Sequence, residues 1–286
     1  MENIYFSIVV VSLNTKLDFL KTISSIKKQT YKNYEIVIVD GKSTDGTVYE
    51  IKKIKNKKIS FIIEKDKSIY DAMNKGIRKS QGKWIIFLNS GDVFNNHNVL
   101  KKISKKKLKN YDIVYGDTII DNYFFNYRIK AQNFTKKTVL MPFCHQSVFV
   151  KKKIFLKQNF LTKYRIASDF DFFMRSFSRK FSFHNLNIVV AKISSNGLSD
   201  NNRDEVYNEN IKIVKNYNYN LYLIFKLLIY KNFNFLKNLI KFFLPNVLIL
   251  FIQSVKYNKI FKLKKKNLEK YKIVIMFHNV ILKLFK

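Results

Sequence analysis

Acidic residues are scarce in this chain: 20 Asp and Glu face 54 Lys and Arg, leaving a formal charge of +34 across 286 residues. A balance so far from neutral calls for an anionic partner, with nucleic acid, an anionic membrane surface and phosphorylated small molecules as the candidates. Most of the cations are scattered lysines, so part of the charge is a compositional bias toward Lys, Asn, Ile and Phe. Cysteine occurs once, at Cys144, which excludes an internal disulfide framework and a cysteine-rich metal site and fits a reducing compartment. Its expected role is a small buried apolar side chain. The run at 4–13 has neither a basic start nor a small-residue cleavage site, so it reads as a buried first strand in a chain that stays in the cytoplasm. No GxxxxGKS/T or GxGxxG sequence is present, which sets aside the glycine loops that cradle phosphates.

Glycine is rare as well, and its placement divides the chain. All 7 glycines lie before residue 198, and five fall from Gly41 to Gly91, so turn chemistry is concentrated in the first third. There, apolar runs at 4–13, 34–39, 59–63 and 84–88 alternate with helix-like segments at 16–29, 45–56 and 69–80. Unbroken apolar strands in a strand-helix rhythm predict a mostly parallel sheet covered by helices, an α/β fold. Ligands of such sheets bind beyond the carboxyl ends of the strands.

Those ends carry carboxylates. The strand at 34–39 runs into Asp40 and a turn rich in hydroxyls, in which Asp45 is expected to cap the next helix. Asp40 aims into the crevice, where a carboxylate accepts hydrogen bonds from a base or ribose. The strand at 84–88 ends in Asn89, Ser90, Gly91 and Asp92, with Gly91 letting the backbone bend so that Asp92 faces a ligand. Carboxylates so placed in a basic protein suggest Mn2+ or Mg2+ shared with substrate phosphates, since hard cations prefer oxygen ligands. Asp117, after the short apolar run 113–114, is a further strand-end candidate.

In order and spacing, VDGKSTDGT at 39–47, DKSIYDAMNKG at 66–76 and FLNSGD at 87–92 resemble successive motifs of the family 2 inverting glycosyltransferases with a GT-A fold. The style is that of bacterial enzymes of polysaccharide and colanic-acid type assembly. The resemblance implies a nucleotide-diphospho-sugar donor, usually UDP-linked, with a divalent cation on its diphosphate. It implies donor contacts from Ser12, Asp40, Ser43, Asp71, Asn74, Lys75, Asn89 and Ser90, and metal ligation by Asp92. The chain departs from the family at Asn89, where many relatives carry an aspartate that reaches the ribose; Asn still hydrogen-bonds a hydroxyl but removes one negative charge. Ser68 with Asp71 three residues on also forms a capping-box-like helix start, a purely structural account of both.

Inverting transfer needs a base for the acceptor hydroxyl. In the second half, Asp169 and Asp171 interrupt an aromatic helix; Asp171 pairs with Arg175 at i,i+4, whereas Asp169 has no such account. The segment resembles the family's glutamate-aspartate motif, which puts the catalytic base on Asp169 and replaces the preceding acid by Ser168. The sequence MPFCHQSVF at 141–149 resembles the family's segment containing His and Gln, which brings His145 and Gln146 to the acceptor or the diphosphate.

After about residue 205 the character changes. From Asn210 to Lys286 there are 16 lysines and one acid, Glu269, among Phe, Tyr, Leu and Ile. The longest uncharged run, Phe242 to Val255, holds 14 residues and Pro245, too short for a hydrocarbon core of about 30 Å. Basic, aromatic-rich amphipathic helices lying on a membrane suit this pattern better than nucleic-acid binding does. The expectation is therefore a GT-A catalytic domain at 1–205 and a basic helical membrane-association region at 206–286, peripheral on the inner face of the cell membrane, acting on a glycan or lipid-linked acceptor. A metal-dependent nucleotidyltransferase and a non-enzymatic basic membrane- or nucleic-acid-binding protein are the alternatives.

Overall fold

The computed structural model describes residues 4–121, 125–195, 197–217, 221–243 and 262–263. Strands β1 (Phe6–Ser12), β2 (Tyr34–Asp40), β3 (Ile59–Ile63) and β4 (Trp84–Phe87) alternate with helices α1 (Lys16–Lys27), α2 (Thr47–Lys52) and α3 (Ile69–Lys79). The four strands lie parallel in the order β3-β2-β1-β4. Their side chains alternate between two cores: Ile8, Val10, Ile36 and Ile38 meet α1 on one face, while Val9 and Val37 meet α3 on the other. Burial on both faces is why β1, β2 and β4 read as continuous apolar runs; β3, at the edge, is only partly buried. Gly76 of α3 sits where a Cβ would run into the Val9 side chain, so helix and sheet make their closest approach there.

The second half adds β5 (Val93–Phe94), α4 (Val99–Ser104), β6 (Ile113–Asp121), β7 (Phe125–Ile129), β8 (Val148–Lys151) and α5 (Lys152–Phe155). Then come α6 (Ser168–Ser178), β9 (Phe183–Ser194), α7 (Leu198–Asn201), α8 (Arg203–Tyr217), α9 (Leu221–Phe243) and β10 (Lys262–Leu263). The sheet turns mixed here. β8 pairs antiparallel with both β4 and β6, β7 extends that edge, and β9 runs parallel to β6 and antiparallel to β5. A three-residue 3-10 turn, His145–Ser147, leads into β8.

The core on the α3 face of the sheet does not end at residue 205. Ile213 and Val214 of α8 and Leu223 and Leu227 of α9 are buried in the cluster that holds Tyr70, Phe170 and Phe173. Full burial of such side chains contributes about 1.5–3 kcal/mol each, so these helices belong to the packed body. Asp117, a strand-end candidate in the sequence, is structural and holds Arg128 and the Ala131 N–H, and Asp171 pairs with Arg175 at 2.8 Å as their i,i+4 spacing predicts.

Candidate active site

The loops after β1 and β2 lock into one another. Ser12 and Asp40 are register partners at the ends of their strands. Asp40 is fully buried, and its two carboxylate oxygens accept from the Ser43 N–H at 2.7 Å and the Ser43 hydroxyl at 2.8 Å. Ser43 Oγ in turn accepts from the Asn14 N–H at 2.7 Å, and Asn14 Oδ1 takes the Thr44 N–H at 2.8 Å. Asp45 accepts from Thr47 at the start of α2 and from the Lys16 N–H at the start of α1, so one carboxylate ties both helix ends. The Thr47 hydroxyl bond, more than any other contact, holds the Asp45 carboxyl below its ordinary range.

The turn after β4 is braced from α1. Gly91 has φ +99°, a conformation that favours glycine. Thr22 accepts from the Gly91 N–H at 2.9 Å and donates to the Asp92 carbonyl at 2.8 Å. The Asp92 side chain is therefore presented from a fixed backbone. Burial pushes its carboxyl up to about 7, opposed by the nearby His145 and by a hydrogen bond from the Gln146 side chain. Beside it, Asn89 Oδ1 and Ser90 Oγ are buried without a hydrogen-bond partner. Polar atoms so placed await something to bind.

His145 bridges to the second acidic group. Its Nδ1 lies 3.3 Å from Asp169 Oδ2. The other Asp169 oxygen accepts the N–H of Phe170 at 2.8 Å and faces the Tyr70 hydroxyl at 3.2 Å. Tyr70 also donates to the Ile166 carbonyl, so its single proton is shared. Asp169 stands in the first turn of α6, a helix with no side-chain cap of its own. Its approach is instead held by Glu209 of α8, whose carboxylate takes three successive N–H groups: Arg165 at 2.7 Å, Ile166 at 3.0 Å and Ala167 at 2.8 Å.

The middle motif is divided. Ser68 caps α3 by accepting from the Asp71 N–H, the first half of the expected capping box, but the Asp71 carboxylate accepts from the N–H of Lys67, one residue before the cap, in place of that of Ser68. That backbone bond holds the Asp71 carboxyl low. Asn74 is turned away from the strand ends: both ends of its amide engage the backbone of Phe160, at 2.9 and 3.1 Å. Lys75 lies among three carboxylates, Glu64 at 2.9 Å, Asp66 at 2.6 Å and Asp71 at 3.5 Å. Burial works against its charge, but the bonds to Asp66 and Glu64 outweigh it and hold the ammonium above its ordinary pKa. Cys144 has its thiol pushed up to about 11 by burial, as an inert side chain would.

The structure thus gathers Ser12, Asp40, Ser43, Asn89, Ser90 and Asp92 at adjoining strand ends and joins Asp92 to Asp169 through His145 and Gln146. Sequence reasoning missed Tyr70, Thr22, Glu64, Asp66 and Glu209. For Tyr70 a signal existed, since it lies four residues before Asn74 on the same helix; Glu209 is distant in sequence from everything it holds.

The model of the family described as "Glycosyl transferase family 2" matches residues 7–183. The chain belongs to glycosyltransferase family 2. It is 30% identical over 200 residues to the PGL/p-HBAD biosynthesis glycosyltransferase of Mycobacterium bovis (strain BCG / Pasteur 1173P2), covering 67% of this chain and 77% of that one. It is 29% identical over 123 residues to the UDP-Glc:alpha-D-GlcNAc-diphosphoundecaprenol beta-1,3-glucosyltransferase WfgD of Escherichia coli, over 43% of this chain and about half, 49%, of the relative. The mannosyltransferase PcManGT from Pyrobaculum calidifontis, solved with GDP-Man and Mn2+, superposes with a TM-score of 0.58 at 13% identity, covering 74% of this chain and 63% of that one. The fold is the GT-A fold of these enzymes, and the chain is a glycosyltransferase of glycan biosynthesis.

A divalent cation fits the residues present. Among the described residues no three His, Cys, Asp or Glu side chains gather into a metal group. A single desolvated carboxylate, Asp92, still suits a hard cation that takes the rest of its shell from a diphosphate and water. The unpartnered Ser90 oxygen adds a neutral donor on the same turn. Among the described residues no helix is long and apolar enough to cross a membrane; of the run 242–255, residues 244–255 lie outside them.

Proposed function

We propose that this glycosyltransferase moves a sugar, with inversion, from a UDP-sugar to a glycan or lipid-linked glycan acceptor in surface polysaccharide biosynthesis, working at the inner face of the cell membrane. The observation that carries this reading is the row Asp92, His145, Asp169, which sets a buried carboxylate beside the unpartnered strand-end atoms and a second carboxylate one imidazole away. Ser12, Asp40 and Ser43 hold the nucleoside end of the donor, with Asn89 on the ribose. Asp71 and Lys75 shape the wall of that end through the Glu64 and Asp66 cluster, and Asn74 fixes the Phe160 loop against it. Asp92, with Ser90 beside it, would hold Mn2+ or Mg2+, which would supply positive charge for the departing diphosphate.

Asp169 takes the proton. The acceptor oxygen forms its bond to the anomeric carbon as the carbon-oxygen bond to the diphosphate breaks, and the hydroxyl proton passes to Asp169 Oδ2. His145 and Gln146 line the passage between the two carboxylates and contact acceptor or diphosphate. That UDP-Glc and a diphosphoundecaprenol-linked acceptor occur in the name of the Escherichia coli relative supports the donor and acceptor classes.

The experiment is a donor screen followed by Asp169→Asn. Thermal shift with nucleotide sugars and Mn2+ identifies the donor, because a ligand of the folded state raises apparent stability. Asp169→Asn then keeps donor binding and loses transfer. A variant that transfers at the wild-type rate, or a product whose anomeric configuration is retained by NMR, overturns the mechanism.

A further inference from the structure

A helix on the outside of a soluble protein carries one apolar stripe, facing its core. Helix α9 carries two. Leu223, Ile224 and Leu227 form the inner stripe and are buried, at 2, 9 and 0% exposure, in the core that α8 shares. On the opposite side Leu221, Tyr222, Phe225, Leu228, Ile229 and Phe233 are all exposed, with Phe225 at 61% and Phe233 at 68%. Their spacing, i, i+4, i+7 or i+8, i+12, makes one continuous face interrupted by Asn232. Contiguous apolar surface of that kind marks a contact site.

Charge decides what it contacts. Between Asn210 and Leu268 the sequence has twelve lysines and no acid. At the flank of the stripe Lys226 lies 5.8 Å from the Tyr230 ring, and Lys231 donates to Asn208. A second copy of the chain seated on this face would oppose lysine to lysine, and Asp204 of α8, the acid recorded against α9, is already engaged by Asn234. An anionic bilayer satisfies both requirements, since aromatic and aliphatic side chains enter the boundary of the acyl chains while lysines meet the headgroups.

We propose that the outer face of α9 is the surface on which the protein rests on an anionic lipid bilayer. This rests on the membrane part of the proposed function and deepens it by naming the face. It also orients the active site. Behind α9 lies α8, and the Glu209 carboxylate of α8 holds the loop that delivers Asp169. Two packed helix layers separate lipid from base, on the order of 20 Å.

The test uses the full chain and sedimentation with vesicles of phosphatidylcholine alone or mixed with phosphatidylglycerol. Wild type is expected to sediment with the anionic vesicles and far less with the neutral ones. Phe225→Ser with Phe233→Ser is expected to cut anionic-vesicle binding by about tenfold or more, with Tm and nucleotide binding in solution unchanged. Wild type that binds neither vesicle overturns the membrane reading as a whole. Wild type that binds, with a double variant that binds equally well, overturns this face alone. A lipid-free dimer that the double variant splits assigns the face to self-association, and a marked fall in the variant's Tm assigns it to the chain's own packing; either result overturns the proposal.

Discussion

The Tyr70 hydroxyl lies 3.2 Å from Asp169 Oδ1 and also donates to the Ile166 carbonyl, so a residue of α3 grips both Asp169 and the loop that delivers it. Tyr70 is buried, which leaves its ring in place when the hydroxyl is removed. A hydrogen bond to a charged group is worth about 1.5–3 kcal/mol. Tyr70→Phe should therefore lower kcat by roughly tenfold or more while the KM for donor barely moves. Equal losses in both constants would mean that Tyr70 serves the fold and not the base.

Glu209 offers a second handle on the same loop. Glu209→Gln keeps the shape but weakens three charge-assisted bonds, and Glu209→Ala leaves three N–H groups without their acceptor. The alanine variant should lose about 2–3 kcal/mol of stability, a fall in Tm of several degrees. The glutamine variant should stay folded at assay temperature with kcat reduced more than KM. Full activity in Glu209→Gln would sever the link between α8 and the base.

Asp92 makes a pH-dependent prediction. Its carboxyl titrates at about 7 in the folded protein, against about 3.9 for an unfolded aspartate. Between those values the native state holds a proton that the unfolded state has released, so stability falls as pH rises from 4 to 7 and is flat above. The penalty at pH 8 is up to about 4 kcal/mol. Asp92→Asn cannot ionise, so it should raise Tm by several degrees at pH 8 and by almost nothing at pH 4. The same variant should lose the stabilisation that Mn2+ with UDP gives wild type. A Tm gain independent of pH would contradict this.

Gly76→Ala tests the closest helix-sheet contact. The added methyl meets the Val9 side chain of β1, and overpacking of this kind costs about 1–3 kcal/mol. Chemical denaturation should give a lower midpoint at unchanged slope, while donor affinity per folded molecule stays near wild type.

The parallel half of the fold was legible because β1, β2 and β4 are buried almost throughout, which writes itself as an uninterrupted apolar run, while the edge strand β3 keeps an apolar sequence although it is only partly buried. The strand expected at 59–63 is found at Ile59–Ile63, and the helix expected at 69–80 at Ile69–Lys79. The mixed half was less readable. β6, β8 and β9 are assembled from segments up to about 80 residues apart in the chain, and long-range pairing leaves no local period. The site divides along the same line. Asp40 and Asp92 announce themselves by following strands, and Asp169 by interrupting an aromatic helix without a partner. Asn74 and Lys75 share a motif with the donor side, yet their amide and ammonium are drawn to Phe160 and to the Glu64 and Asp66 carboxylates. Which of two nearby groups captures a side chain is settled by tertiary distances that spacing alone does not contain.

The region matched by the family model ends at residue 183, and Glu209 lies beyond it. A chimera joined at that boundary, with the C-terminal segment taken from another enzyme, would exchange α8 and α9 and at the same time discard the carboxylate that holds the 165–167 loop ahead of Asp169. The C-terminal helices and the candidate site are thus not separable modules in this protein. A successful graft would have to carry a carboxylate at the position of Glu209, or rebuild the 165–167 loop to do without one.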